Sequence, residues 1–340
     1  MKQTLFLLLL FPLISFSQET LYESLNHDGI TRLYTIHIPP GYSPDAPVPL
    51  VLSLHGYTSN NAFNMAFTGF NAISDTANFI VVYPQGTLFL GASHWNVGGF
   101  TNGSTTDDVG FIETLIDEIS TNYNINADRV YSTGFSNGGY MSYLLACQLS
   151  YKIAAIASVA GSMTPPTYDD CNPQHPTPVL QIHGTDDGTV AYEGTPGWSA
   201  SIPEVMGYWI AHNNCDTEAV IMPFEDVDSA DGTTAEHHLW GNGDNGTTTE
   251  LVKVIGGGHD WPGAFGNMDI SASGEIWKFF MRFDINGSIT SSVDDLVVVS
   301  ADRTLVNIVD ILGRQTTEVK NQLLFYIYSD GVTEKRFVTE

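Results

Sequence analysis

The chain is 340 residues long, 43% hydrophobic, and carries a formal charge of −26 from 12 basic and 38 acidic side chains. That length and apolar content suit one α/β domain with appendages. The acidity excludes nucleic acid and anionic lipid as partners, because such a surface repels phosphate.

Residues 1–17 read as an export signal. Lys2 precedes the apolar run from Leu5 to Leu13, and Ser15-Phe16-Ser17 supplies a small-residue cleavage site before Gln18. No later stretch is long and apolar enough to insert in a membrane, so the mature protein is expected outside the cell, secreted or at its surface. Cys147, Cys171 and Cys215 would then meet an oxidising compartment. One disulfide and one leftover thiol leave three pairings open. The loop and helix-end positions of Cys171 and Cys215 favour a bridge over a core thiol for either. No Cys/His spacing suggests zinc.

Strand-like alternation at 21–23 and 31–38 flanks Asn26-His27-Asp28-Gly29, a hairpin signal. The continuous apolar run 48–54 fits a strand buried on both faces of a parallel sheet. A partly helical stretch, 60–78, leads to a strand at 79–83. A long loop, 84–107, carries His94, Trp95 and Phe100, and loops of that length tend to be functional. Asp107-Asp108 open a helix over 109–123, where acidic residues suit the N-terminal dipole. Strands follow at 153–159 and 178–183, then a helix at 202–212. An antiparallel pair, 219–224 and 236–240, precedes the last core strand at 251–255 and a closing helix at 270–283. Alternating strands and helices argue for a mostly parallel sheet covered on both faces. Composition shifts over 286–295, read as a linker. Beyond it, apolar runs at 296–300, 305–312 and 323–328, with Asp330-Gly331 as a turn, make a small β tail over 296–340.

Between the apolar run at Arg129 and the helix through Met141 lies Gly134-Phe135-Ser136-Asn137-Gly138. Strand, sharp turn and helix around a central serine form the nucleophile elbow of an α/β-hydrolase, and the predicted fold class is that one. A serine hydroxyl needs a base, and the base an orienting carboxylate, in the chain order Ser, acid, His. Asp187, in the turn after strand 178–183, is the expected acid, with Asp186 as the competing choice. His259, behind Gly256-Gly257-Gly258, is the expected base. The oxyanion donors are assigned to the backbone N–H groups of Asn137 and Tyr57, the second from the His55-Gly56-Tyr57 loop. Trp95, Asn96 and Trp261 are candidates for holding substrate. His55 and His183 read as structural, Asp226, Asp228 and Asp231 as a solvated turn rather than a calcium loop, and the Asn-Gly-Ser/Thr sequences at Asn102, Asn245 and Asn286 as turn chemistry. No cofactor and no metal are expected.

Five separated motifs, Leu54-His55-Gly56-Tyr57, Asp107 to Ile112, Gly134 to Gly139, His183 to Asp187 and Gly257 to Gly263, stand in a familiar order. Over residues 31–283 the chain resembles the secreted polyhydroxybutyrate depolymerase and feruloyl esterase group of α/β-hydrolases, related to carbohydrate esterase family 1. The resemblance implies Ser136, Asp187 and His259 as a catalytic triad, and an ester of plant polysaccharide (feruloyl or acetyl) or a polyhydroxyalkanoate-type polyester as substrate. Val309 to Arg314, Phe325 to Tyr328, Asp330-Gly331 and Glu334-Lys335-Arg336 resemble a type IX secretion sorting signal, which implies that secretion machinery as a partner. The resulting layout is signal 1–17, catalytic domain 18–285, linker 286–295 and sorting tail 296–340. The competing readings are a non-catalytic carbohydrate-binding or adhesion protein on this fold and a secreted serine peptidase.

Overall fold

The computed structural model describes residues 18–289 and, beyond them, 305–309, 316, 323–328 and 333–337. The expected export signal, most of the linker, the run at 296–300 and the Asp330-Gly331 turn lie outside the described residues.

In chain order the elements are β1 Glu19–His27, β2 Ile30–Ile38, β3 Val48–Leu54, α1 Asn61–Thr68, α2 Phe70–Ala77 and β4 Ile80–Pro84. A small hairpin, β5 Thr87–Phe89 and β6 Ala92–His94, precedes α3 Asp108–Asn122, β7 Ile125–Phe135 and α4 Asn137–Gln148. Then come β8 Ala155–Val159, α5 Pro165–Asp170, β9 Val179–Gly184, α6 Ile202–His212, β10 Val220–Pro223, β11 Thr234–Trp240 and β12 Thr249–Ile255. The helix α7 Ala272–Phe280 and two short strands, β13 Phe283–Asp284 and β14 Gly287–Ser288, end this part.

Ten strands form one sheet in the order β1-β2-β4-β3-β7-β8-β9-β12-β11-β10. The six from β4 to β12 run parallel, and antiparallel strands close both edges. Every residue of β3, β4, β8 and β9 is buried, as expected for parallel strands covered on both sides. Alternation then sorts the side chains. Leu50, Leu52 and Leu54 pack with α3, α4 and α6 residues such as Phe111, Tyr140 and Trp209. Val51 faces the other way, among Phe70 of α2 and Ile276, Phe279 and Phe280 of α7. This is the α/β-hydrolase fold that the sequence predicts.

Two expectations change. The 84–107 loop is not structureless, since β5 and β6 pair within it around Leu90-Gly91. The closing helix stops at Phe280, and Phe283 joins a short strand instead. The cysteine question also resolves: Cys147, in the last turn of α4, bridges to Cys171, while Cys215 is a free, buried thiol. The expectation that Cys215 favours a bridge is therefore corrected. Its sulfur lies at hydrogen-bonding distance from Thr247 O and Thr249 Oγ1, inside the fold.

The chain divides into two compact units, the second beginning at Thr290, within the expected linker. In that second unit β15 Leu305–Val309, β16 Leu323–Tyr328 and β17 Thr333–Phe337 form a three-stranded antiparallel sheet.

Candidate active site

β7 ends at Phe135 and α4 begins at Asn137, so Ser136 alone makes the corner. Its φ of 54° and ψ of −118° put a Cβ-bearing residue in a region that costs on the order of 1–3 kcal/mol. The surroundings hold it there. Ser136 N–H donates to Val159 O at 2.8 Å, and Ser136 O accepts from Gly139 and Tyr140 N–H at 2.8 and 3.1 Å. The two motif glycines answer close approaches. A Cβ on Gly134 would lie 2.3 Å from Gly138 C, and one on Gly138 would lie 2.2 Å from Leu54 O.

Asp187 and His259 reach one another from the ends of β9 and β12. His259 Nδ1–H donates to Asp187 Oδ2 at 2.7 Å. Asp187 Oδ1 accepts from Thr189 and Val190 N–H, both at 2.8 Å. Burial pushes the Asp187 carboxyl up, but the His259 contact and these amides outweigh it and hold the group below the ordinary carboxylate range. Asp186, the competing choice, is exposed, and its carboxylate accepts from the adjacent Thr185 Oγ1. The His259 ring lies 4.9 Å from the ring of Phe135, the residue before Ser136. An acid and an imidazole thus meet, and the imidazole packs on the residue before the serine, at the C-terminal ends of β7, β9 and β12 of one sheet.

The loop after β3 abuts the same corner. His55 is buried, donates from Nδ1 to Gly56 O at 2.7 Å and accepts at Nε2 from Gly86 N–H at 2.9 Å. Burial lowers its pKa to about 4, so it is a neutral brace. Thr58 and Ser59 N–H are committed to Ser93 O and Gly56 O. The Asn137 N–H belongs to the first turn of α4, where a helix has no internal acceptor for it. His183 is likewise structural, donating from Nε2 to Val190 O at 2.8 Å and accepting at Nδ1 from Gln181 at 2.9 Å.

The aromatic candidates for substrate contact are corrected by burial. Trp95 is fully buried; its Nε1–H donates to His55 O at 2.9 Å. Trp261 is equally buried, bonded to Ser273 Oγ at 3.2 Å and edge-packed on Phe67 and Phe70. Asn96 uses its side chain on Thr106 O and Thr101 Oγ1, which makes it a loop brace. The aromatic groups that do keep accessible surface are others: Phe63, 59% exposed, Tyr57, 39% exposed, and the half-buried Phe100 and Trp198, 5.1 Å apart. Trp198 follows Thr195-Pro196-Gly197, a turn that marks it as a residue near the surface.

The acidic turn is hydrogen-bonded within itself and to its neighbour, Asp231 Oδ2 accepting from Met268 N–H at 2.8 Å. Asp228 and Asp231 cap their own loop through Ala230 and Thr233 N–H. Among the described residues one group, His27, Asp28 and Asp107, brings three potential ligand atoms within 4.8 Å of each other, with both carboxylates exposed. These residues lie at the β1–β2 turn and at the cap of α3.

A parallel sheet flanked by helices, with a strained serine at a strand–helix corner and an acid–imidazole pair beside it, defines an α/β-hydrolase. The Phospholipase/Carboxylesterase family profile matches residues 100–195. The putative esterase NocK of Nocardia uniformis subsp. tsuyamanensis is 30% identical over 254 residues, covering 69% of this chain and 72% of that protein. The chain belongs to the same esterase family as NocK. The bifunctional acetylxylan esterase/xylanase XynS20E of Neocallimastix patriciarum is 28% identical over 274 residues, 81% of this chain, and the chain spans only 36% of its length. Other curated relatives are feruloyl esterases and a poly(3-hydroxyalkanoate) depolymerase. Among solved structures, the acetyl xylan esterase from Aspergillus awamori shares the fold, with a TM-score of 0.57 at 15% identity over 77% of this chain and 99% of that one.

Proposed function

We propose that this chain is an exported serine esterase that works through an acyl-enzyme. The observation that carries the reading is the 2.7 Å bond from His259 Nδ1–H to Asp187, formed by a histidine packed on the neighbour of Ser136. Donation from Nδ1 leaves Nε2 of a neutral imidazole as the free base. Nε2 takes the Ser136 proton as Oγ attacks the ester carbonyl, and Asp187 stabilises the imidazolium that forms. The backbone N–H groups of Asn137 and Tyr57 receive the oxyanion, the first with the α4 dipole behind it. The alcohol departs with the proton from His259. Water, activated by the same imidazole, then releases the acid and restores Ser136.

The substrate class is a carboxylic ester of polymer origin, either feruloyl or acetyl groups on plant polysaccharide or a polyhydroxyalkanoate-type polyester. The names of the relatives support this range. Export rests on residues 1–17 and the tail resemblance, with type IX machinery as partner and an extracellular or cell-surface destination. The deciding experiment compares wild type with Ser136→Ala on p-nitrophenyl acetate, with fluorophosphonate labelling alongside. Loss of both turnover and label is expected; a variant that keeps its turnover sinks the serine mechanism.

A further inference from the structure

The β5–β6 hairpin is the most conspicuous feature that the mechanism does not use. Its tip reads Leu88-Phe89-Leu90-Gly91, and Leu88 and Leu90 are 73% and 89% exposed. Leu90 has a φ of 51°, in the left-handed region where a two-residue hairpin loop favours Asn, Asp or Gly. The chain therefore accepts backbone strain and apolar exposure at one residue. At that exposure, packing returns little to the fold for either leucine.

The hairpin is firmly held at its base. His94 Nδ1–H donates to Thr87 O at 3.0 Å, its Nε2 meets Ser104 Oγ at 2.8 Å, and its ring packs 5.2 Å from that of Phe89. It is also joined to the active-site loop. Thr58 N–H donates to Ser93 O at 2.8 Å, and Ser93 Oγ donates to Ser59 O, directly beside Tyr57. Leu88 and Leu33, the latter 53% exposed, line one open hollow of about 630 Å³ together with Thr58, Ser59 and Asn60.

We propose that this hairpin is a docking finger for the uncharged, aliphatic surface of a solid polyester, an inference that rests on the esterase reading above. The charge of −26 disfavours a second copy of the chain and any anionic membrane. Leucine offers no ring face on which a sugar could stack. What remains complementary is neutral and aliphatic. Anchored beside Tyr57, the finger would bring ester groups of the solid to the proposed oxyanion loop.

The test uses the full chain and the double variant Leu88→Ser/Leu90→Asn, with poly(3-hydroxybutyrate) granules as the probe. Adsorption is read by co-sedimentation and hydrolysis by release of soluble acid. Burial of a leucine against an apolar surface is worth roughly tenfold or more in affinity. The variant is therefore expected to lose at least about tenfold in adsorption and a similar factor in granule hydrolysis, with turnover of soluble p-nitrophenyl acetate unchanged. Its melting temperature should hold or rise, because Asn suits the left-handed position better than Leu. Equal adsorption by wild type and variant overturns the proposal, as does wild type that ignores the granules. A fall in melting temperature, or a wild-type dimer that becomes monomeric in the variant, also overturns it by giving the leucines a packing role. Failure of wild type on the soluble ester would instead strike the esterase reading.

Discussion

The side chain of Asn137 is bonded to both backbone polar groups of Trp95, accepting from its N–H at 2.7 Å and donating to its C=O at 3.1 Å. Trp95 passes the constraint on through its indole N–H to His55 O. Three segments are thereby locked together: the first residue of α4, the loop between β6 and α3, and the loop carrying Tyr57. The two amides proposed for the oxyanion sit at opposite ends of this buried unit.

Asn137→Ala leaves the Trp95 N–H and C=O without their partner in a buried site. The expected loss of stability is about 2–4 kcal/mol, the cost of stranding two buried polar groups. Because one oxyanion amide belongs to this residue and the other loop leans on Trp95, kcat should fall while KM for a small ester barely moves. Denaturant melts and p-nitrophenyl acetate kinetics check both parts. An unchanged kcat would mean that the unit does not position the oxyanion donors.

Asp187→Asn tests the orienting acid separately from the fold. The amide oxygen can keep both backbone contacts, to Thr189 and Val190, so the loop should stay in place. The imidazole, however, would no longer be held with its proton on Nδ1. A kcat lower by about 10³- to 10⁴-fold is expected, with a melting temperature close to that of wild type. A loss smaller than tenfold would remove Asp187 from the mechanism.

The parts of the site legible in the sequence are those fixed by local sterics. Gly134 and Gly138 announce a corner because a Cβ at either would meet backbone, and the turn after β9 announces an acid near its strand end. The elements were legible for the same reason, as in α6, where Ser201 and Glu204 form a capping box at the predicted start. Trp95 was not legible. A tryptophan in a polar loop looks like a platform, and its burial depends on His55 and Asn137, about 40 residues away on either side. The β5–β6 hairpin escaped because Leu-Gly is an uncommon turn pair. Its exposed leucines break the local rule that would have revealed it.

The Cys147–Cys171 bridge closes a loop across a sequence separation of 24. It ties the end of α4 to the residue after α5. Constraint of the unfolded chain over such a loop is worth about 3 kcal/mol. Dithiothreitol, or a Cys147→Ser/Cys171→Ser variant, should lower the denaturation midpoint accordingly while leaving the His259–Asp187 bond in place. Buried Cys215 should stay silent to a thiol reagent until the protein unfolds. Rapid labelling of the native protein would contradict its burial.

Acid should unfold this protein partly through one buried carboxylate far from the chemistry. Glu250 of β12 is buried and accepts from Arg282 Nη2 at 2.6 Å, His237 Nε2 at 2.8 Å and Thr248 Oγ1 at 2.6 Å. Burial pushes its pKa up, but Arg282, then His237 and Thr248, outweigh that and hold it at about 2, against an ordinary 4.5. The folded pKa is the depressed one, so the unfolded chain binds more protons between these values. Stability is then complete above about 4.5 and falls as pH drops toward 2. A difference of that size corresponds to about 3 kcal/mol at 1.36 kcal/mol per unit. The Asp187 carboxyl, also held below its ordinary range, contributes in the same direction at the acid end. Glu250→Gln should flatten the decline between pH 4.5 and 2, while lowering stability at pH 7 because Arg282 loses its anion. Urea melts at intervals across that range give the comparison. Parallel declines in wild type and variant would show that Glu250 keeps an ordinary pKa and that acid sensitivity arises elsewhere.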